Sequence, residues 1–159
     1  MLKYIGLFTL FLSALSVGVY FSSKIKNQLK AYEDIIKLLN HTKTEILFFN
    51  TTIDEIFNSY TPCTKTAKFL INSSKETAVL DLISQKEELY LGESTCILLT
   101  DLLTRLGKTN RTELLSVIEH HMSAIEQEYN ELKKKAPERI KLYTALSLYG
   151  GIMVILFFI

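Results

Sequence analysis

The sequence predicts an all-α protein: a cytoplasmic helical bundle set between two transmembrane helices. Three observations carry that expectation. Charge is segregated, since 22% of the 159 residues are charged yet none lies in residues 4–23 or 142–159. Glycine is missing from residues 19–91, and four of the six glycines sit in the two uncharged ends, so turn material for hairpins is scarce. Between the ends, apolar residues recur every three or four positions, which is helical spacing. The near balance of 18 Lys+Arg against 17 Asp+Glu lacks the basic excess of a bulk nucleic-acid binder. Two cysteines, Cys63 and Cys96, are too few for a disulfide-stapled scaffold.

The first element is residues 1–23. Its 20 uncharged residues, 4–23, would form a helix about 30 Å long, the thickness of a bilayer's hydrocarbon core. Tyr4 and Tyr20 stand near its ends, where amphipathic rings favour the interface. The competing reading is a cleaved signal peptide with Lys3 as its charged region and Ala14-Leu15-Ser16 as its cleavage site. The apolar run continues past that site through Phe21, which favours an uncleaved span. At the other end, residues 142–159 are uncharged and apolar to the last position, a second span. Lys24, Lys26, Lys30 and Lys37 follow the first span, while Lys133, Lys134, Lys135, Arg139 and Lys141 precede the second. Both asymmetries place residues 24–141 on the cytoplasmic side. Cys63 and Cys96 are then expected as thiols. The sequons at Asn40, Asn50, Asn72 and Asn110 would accept glycans only on the opposite side, and they are the main argument for the alternative of a secreted or lumenal protein with a cleaved signal and a C-terminal anchor.

The 118 residues of 24–141 suffice for a small core. Ile25, Leu29, Tyr32, Ile36 and Leu39, then Ile46 beyond Lys43, mark a first amphipathic helix. Thr52 and Glu55 have capping-box spacing and open a helix through Ile56 and Phe57, which Tyr60-Thr61-Pro62 ends. Pro62 is placed in the first turn of the next helix, which carries Cys63, Ala67, Phe69, Leu70 and Ile71. A helix over 77–88 buries Val79, Leu80, Leu82 and Ile83, and Gly92-Glu93-Ser94 separates it from one over 95–106 with Cys96, Leu99, Leu102, Leu103 and Leu106 inward. Gly107 caps that helix. Thr109 or Asn110 opens the longest helix, with Leu115, Ile118, Met122, Ile125, Tyr129 and Leu132 as its stripe and Pro137 as a kink or brief break.

Chemical motifs are weak. Gly107-Lys108-Thr109 resembles the end of a phosphate-binding loop, but Leu102 stands where the preceding glycine is needed. His120 and His121 are adjacent, so they point about 100° apart on a helix and share no metal. They are expected to be solvated or at the edge of the bundle, and His41 stands alone. Cys96 lies on an apolar stripe as a small buried hydrophobe, and no histidine adjoins either cysteine. The pairs Asp54-Glu55 and Glu87-Glu88 suit capping and solvation. No enzyme, cofactor, metal or small-molecule substrate is expected.

Several segments together resemble the stage III sporulation protein AB family. They are the short N-terminal span, Thr44-Glu45-Ile46 and its continuation to Ile56, Leu106-Gly107 with the capped helix after it, and residues 141–151 from Lys141 to Gly151. Thr52 replaces the family's usual Pro, Asn110 an Asp and Leu114 a Gln. The resemblance implies a cytoplasmic domain similar to those of type II secretion and type IV pilus platform proteins. It implies an adaptor in the complex linking mother cell and forespore. Its partners would be the stage III sporulation AA ATPase, other membrane components of that complex and the lipid bilayer. Glu45, within the resembling stretch, and Arg105, near the Gly107 cap, are the expected partner-binding positions. The plainer roles are an internal ion pair or helix cap for Glu45 and a solvated face for Arg105.

Overall fold

A computed structural model describes residues 2–49, 53–72, 82, 84–105 and 110–158. Among them are five helices and no strand: α1 (Leu2–Phe48), α2 (Ile53–Ser59), α3 (Lys65–Asn72), α4 (Glu93–Arg105) and α5 (Arg111–Phe158). The chain divides into two compact units, Met1–Asn27 with Leu132–Ile159, and Gln28–Glu131.

The first unit is built from the two ends of the chain. α1 and α5 each contain a stretch long and apolar enough to cross a membrane. Phe8, Val17, Val19, Leu146, Met153 and Leu156 are exposed, an apolar surface suited to lipid. The two stretches pack against each other through glycines. A Cβ on Gly18 would overlap the Ser147 side chain and stand 3.2 Å from the Tyr143 carbonyl oxygen, and one on Gly151 would stand 2.8 Å from the Phe11 ring. Phe21 stacks on Tyr143 with ring centroids 5.2 Å apart. The hydroxyls of Thr9, Ser16, Thr144 and Ser147 donate to the carbonyls of Gly6, Leu12, Ile140 and Thr144, so these four side chains present no orphan donor to hydrocarbon. α5 does not break at Pro137. Proline removes one backbone donor, and the turns on either side hold the helix.

The second unit is a bundle. Tyr32, Ile35, Leu38 and Leu39 of α1 bury with Ile56 and Phe57 of α2, Ala67 and Leu70 of α3, Cys96, Leu99 and Leu102 of α4, and Leu114, Ile118 and Ile125 of α5. The α1 stripe follows the sequence expectation at Tyr32, Leu39 and Ile46, and the helix runs unbroken past Lys43. The α5 stripe is shifted. Leu114, Ile118, His121 and Ile125 are the buried face, while Leu115 and Met122 are half-buried. A polar residue occupies the inward position at 121, which an apolar pattern skips.

Two local expectations are corrected, and an open one is narrowed. Pro62 and Cys63 lie before α3 rather than in its first turn. Thr64 is the cap instead: its Oγ1 accepts the Ala67 N–H at 3.3 Å and its carbonyl accepts the Lys68 N–H at 3.2 Å. Leu82 and Ser84 are helical, but the chain leaves the helix earlier than Glu88, through a turn over 85–90. Leu91 N–H bonds the Lys86 carbonyl at 3.1 Å and Tyr90 N–H the Glu87 carbonyl at 3.3 Å, a Schellman pair, with Tyr90 at φ 56°. Asn110, not yet distinguished from Thr109 by sequence, opens α5: its carbonyl accepts the Leu114 N–H at 2.9 Å. Thr52, most of 77–83 and 106–109 with Gly107-Lys108-Thr109 lie outside the described residues.

Candidate functional site

Three polar clusters organise the bundle. The first centres on Asp34 of α1, which is 3% exposed. Its Oδ2 accepts the backbone N–H of Cys63 at 3.0 Å and of Thr64 at 2.7 Å, and the Thr64 hydroxyl at 2.7 Å; its Oδ1 accepts the Tyr60 hydroxyl at 2.8 Å. One carboxylate thereby ties the loop before α3 onto α1. Burial, then the Asp34 hydrogen bond, raises the Tyr60 phenol well above its usual value. His41 extends the cluster, with Nε2 3.0 Å from the Ser59 hydroxyl and its ring 5.6 Å from that of Tyr60, so it does not stand alone.

The second cluster joins α1, α4 and α5. The Tyr32 hydroxyl donates to Glu128 Oε1 at 2.9 Å and accepts the Gly92 N–H at 3.1 Å. Glu128 Oε2 accepts the hydroxyls of Ser94 at 3.0 Å and Thr95 at 2.5 Å. Burial pushes the Tyr32 phenol up to about 12. Gly92 brings the backbone close here: a Cβ would stand 2.5 Å from Glu128 Oε1 and 2.9 Å from the Tyr32 hydroxyl, so the ends of both side chains would have to shift.

The third cluster lines an open groove between α4 and α5 formed by Ile97, Leu98, Asp101, Arg105, Ser116, Val117, His120 and His121. His121 is 5% exposed, not solvated; its Nδ1 lies 2.7 Å from the Val117 carbonyl and its Nε2 3.1 Å from Asp101 Oδ2. Both ring nitrogens thus face oxygens, one on its own helix and one on α4. His120 is exposed, as expected. Arg105 Nε donates to both Asp101 oxygens at 3.0 Å. The Arg105 guanidinium first, and His121 after it, hold Asp101 below its usual value.

The two expected partner-binding positions are separate elements of this unit. Arg105 ends α4 on the rim of the groove, and its guanidinium is engaged with Asp101. Glu45 lies half-buried in the last turns of α1, where its carbonyl accepts the Phe49 N–H at 2.9 Å. Close by, Arg111 reaches from α5 to the carbonyls that end α1, donating to those of Ile46, Leu47 and Phe49. Sequence reasoning missed Asp34, Glu128, Arg111 and Asp101, and no short motif marks them.

Cys96 is buried as expected, and burial pushes its thiol up; Cys63 is exposed. Among the sequons, Asn40 sits inside α1 and the Thr42 hydroxyl is buried, donating to the Leu38 carbonyl at 2.9 Å.

Comparison with curated proteins and with solved structures finds no match. A family model does match, over residues 3–159 and so over both units, and its description is stage III sporulation protein AB. The chain belongs to that family.

Proposed function

We propose that this protein is a non-enzymatic membrane platform in the channel complex between mother cell and forespore, coupling a cytoplasmic secretion-type ATPase to the membrane assembly. Membership of a sporulation family supports the setting. The observation that carries the membrane role is the pair of helices long and apolar enough to cross a bilayer, each with lysines flanking its uncharged stretch toward residues 24–141. By the positive-inside rule those lysines support a central unit that faces the mother-cell cytoplasm. The partner-facing role rests on the α4–α5 groove. Its Arg105–Asp101 pair is 48% and 43% exposed, and exposed pairs contribute about 0.2–1 kcal/mol, so the guanidinium can exchange to a partner's carboxylate at small cost. The polar groups of Asp34 and Glu128 are engaged in holding helices together, which suits a scaffold.

Capture of the ATPase by full-length chain in detergent tests the coupling. Arg105→Glu and Glu45→Lys should each reduce capture while the circular dichroism spectrum and melting stay those of the parent. Undiminished capture by both folded variants would remove the two positions from the contact. The lumenal alternative gains nothing at Asn40, because its sequon threonine is buried within a helix.

A further inference from the structure

Within the unit formed by the two chain ends, a groove runs between α1 and α5, lined among others by Leu15, Gly18, Ser22, Lys26, Ile140 and Thr144. We propose that this groove binds one anionic phospholipid of the leaflet on the Lys26 side, its phosphate held by Lys26 and Ser22 and one acyl chain lying along Gly18 toward Leu15.

Depth is the first argument. Leu15 and Lys26 are 11 positions apart in one helix, about 16 Å along its axis, or about half of a bilayer's hydrocarbon thickness. A groove one leaflet deep with its cation at the interface has the shape of a single phospholipid. Charge is the second argument. Lys26 is the one charged side chain in the lining, no acidic group shares the groove, and none of the ion pairs among the described residues involves it. The third argument is an orphaned donor. The hydroxyls of Thr9, Ser16, Thr144 and Ser147 all bond carbonyls in the preceding turn, whereas the buried Ser22 Oγ has no partner. A hydroxyl left unpaired at membrane depth is costly, and rotation about its Cα–Cβ bond would carry this one from its buried position to a phosphate oxygen beside Lys26. Ser22 and Lys26 are four residues apart and so share a helix face. Below them Leu15, Val19 and Ile140 give the groove an apolar lining for a chain of methylenes.

The proposal rests on the membrane reading above, and the experiment separates the two. Full-length chain is reconstituted into vesicles of equal phosphatidylglycerol and phosphatidylethanolamine, extracted in mild detergent, and weighed by native mass spectrometry. One phosphatidylglycerol should be retained per chain in preference to phosphatidylethanolamine. Lys26→Gln should lower that retention about fivefold, the share of one lysine near an anionic headgroup. Lys24→Gln removes the same charge outside the groove lining and should leave retention unchanged. Thr144→Leu, which fills the groove without altering charge, should also expel the lipid. Excess inorganic phosphate should not displace it. Equal losses for Lys24→Gln and Lys26→Gln, equal retention of the two lipids, or displacement by inorganic phosphate would each overturn the proposal. Release of the chain from the vesicles by alkaline carbonate would instead overturn the membrane reading itself.

Discussion

Replacing Asp34 by alanine removes one carboxylate and leaves four donors without their acceptor. The Tyr60 and Thr64 hydroxyls can rotate toward other acceptors, but the backbone N–H groups of Cys63 and Thr64 are fixed by the chain. A charge-assisted hydrogen bond contributes about 1.5 kcal/mol at the low end, so losing two costs about 3 kcal/mol. Asp34→Asn retains a carbonyl oxygen for those two donors and should cost about half as much. Cys96, 2% exposed, provides the assay, because a thiol reagent reaches it only when the bundle opens. The exposed Cys63 is first changed to serine so that it does not report. If closing outpaces labelling, the rate follows the opening equilibrium, and 3 kcal/mol corresponds to about a 150-fold faster reaction of Cys96 in the alanine variant. Labelling within threefold of the parent would refute the reasoning, since Asp34 would then not hold the loop before α3.

The second cluster gives a paired expectation: Tyr32→Phe, which strands the Gly92 N–H, and Gly92→Ala, which drives a methyl against Glu128, should each destabilise the bundle by about 2 kcal/mol in the same assay. Arg111→Ala should cost about 1–2 kcal/mol by uncapping α1, again measured by Cys96 labelling. Asp101 has a folded pKa below its ordinary 3.8, so its contribution is fully present above about pH 4 and is lost as pH falls through the lowered value. Because its side chain is 43% exposed, solvent screening keeps that contribution under about 1 kcal/mol. The stability difference between the parent and Asp101→Asn should accordingly vanish in acid, as followed by circular dichroism.

The helices and the two apolar ends were legible in the sequence because they rest on patterns local to each segment. Periodicity placed Tyr32, Leu39, Cys96, Leu99 and Leu102 inward, and all are buried. What escaped was every interaction whose partners are distant along the chain. Tyr32 and Glu128 are 96 positions apart, and Asp34 and Thr64 are 30 apart, so no window contains both members. Polar identity then misled: His121 and Glu128 lie seven residues apart on the inward side of α5, yet an apolar template assigns that side to Leu115, Met122 and Tyr129. Sequence also left unmarked the residue that ends the turn over 85–90. The left-handed position is Tyr90, while Gly92 serves close approach to Tyr32 and Glu128. The family-like stretch made Glu45 a candidate and the place beside the Gly107 cap made Arg105 one; the geometry adds that Arg105 rims a groove and that Glu45 lies near the carbonyls gripped by Arg111.

The side of the membrane on which the bundle lies is tested most directly at Cys63, the exposed thiol. Intact sporulating cells are treated with a membrane-impermeant maleimide, with and without permeabilisation, using Cys63→Ser as the blank. With the bundle on the cytoplasmic face, Cys63 reacts only after permeabilisation. Labelling of Cys63 in intact cells would contradict it and put the bundle on the opposite face.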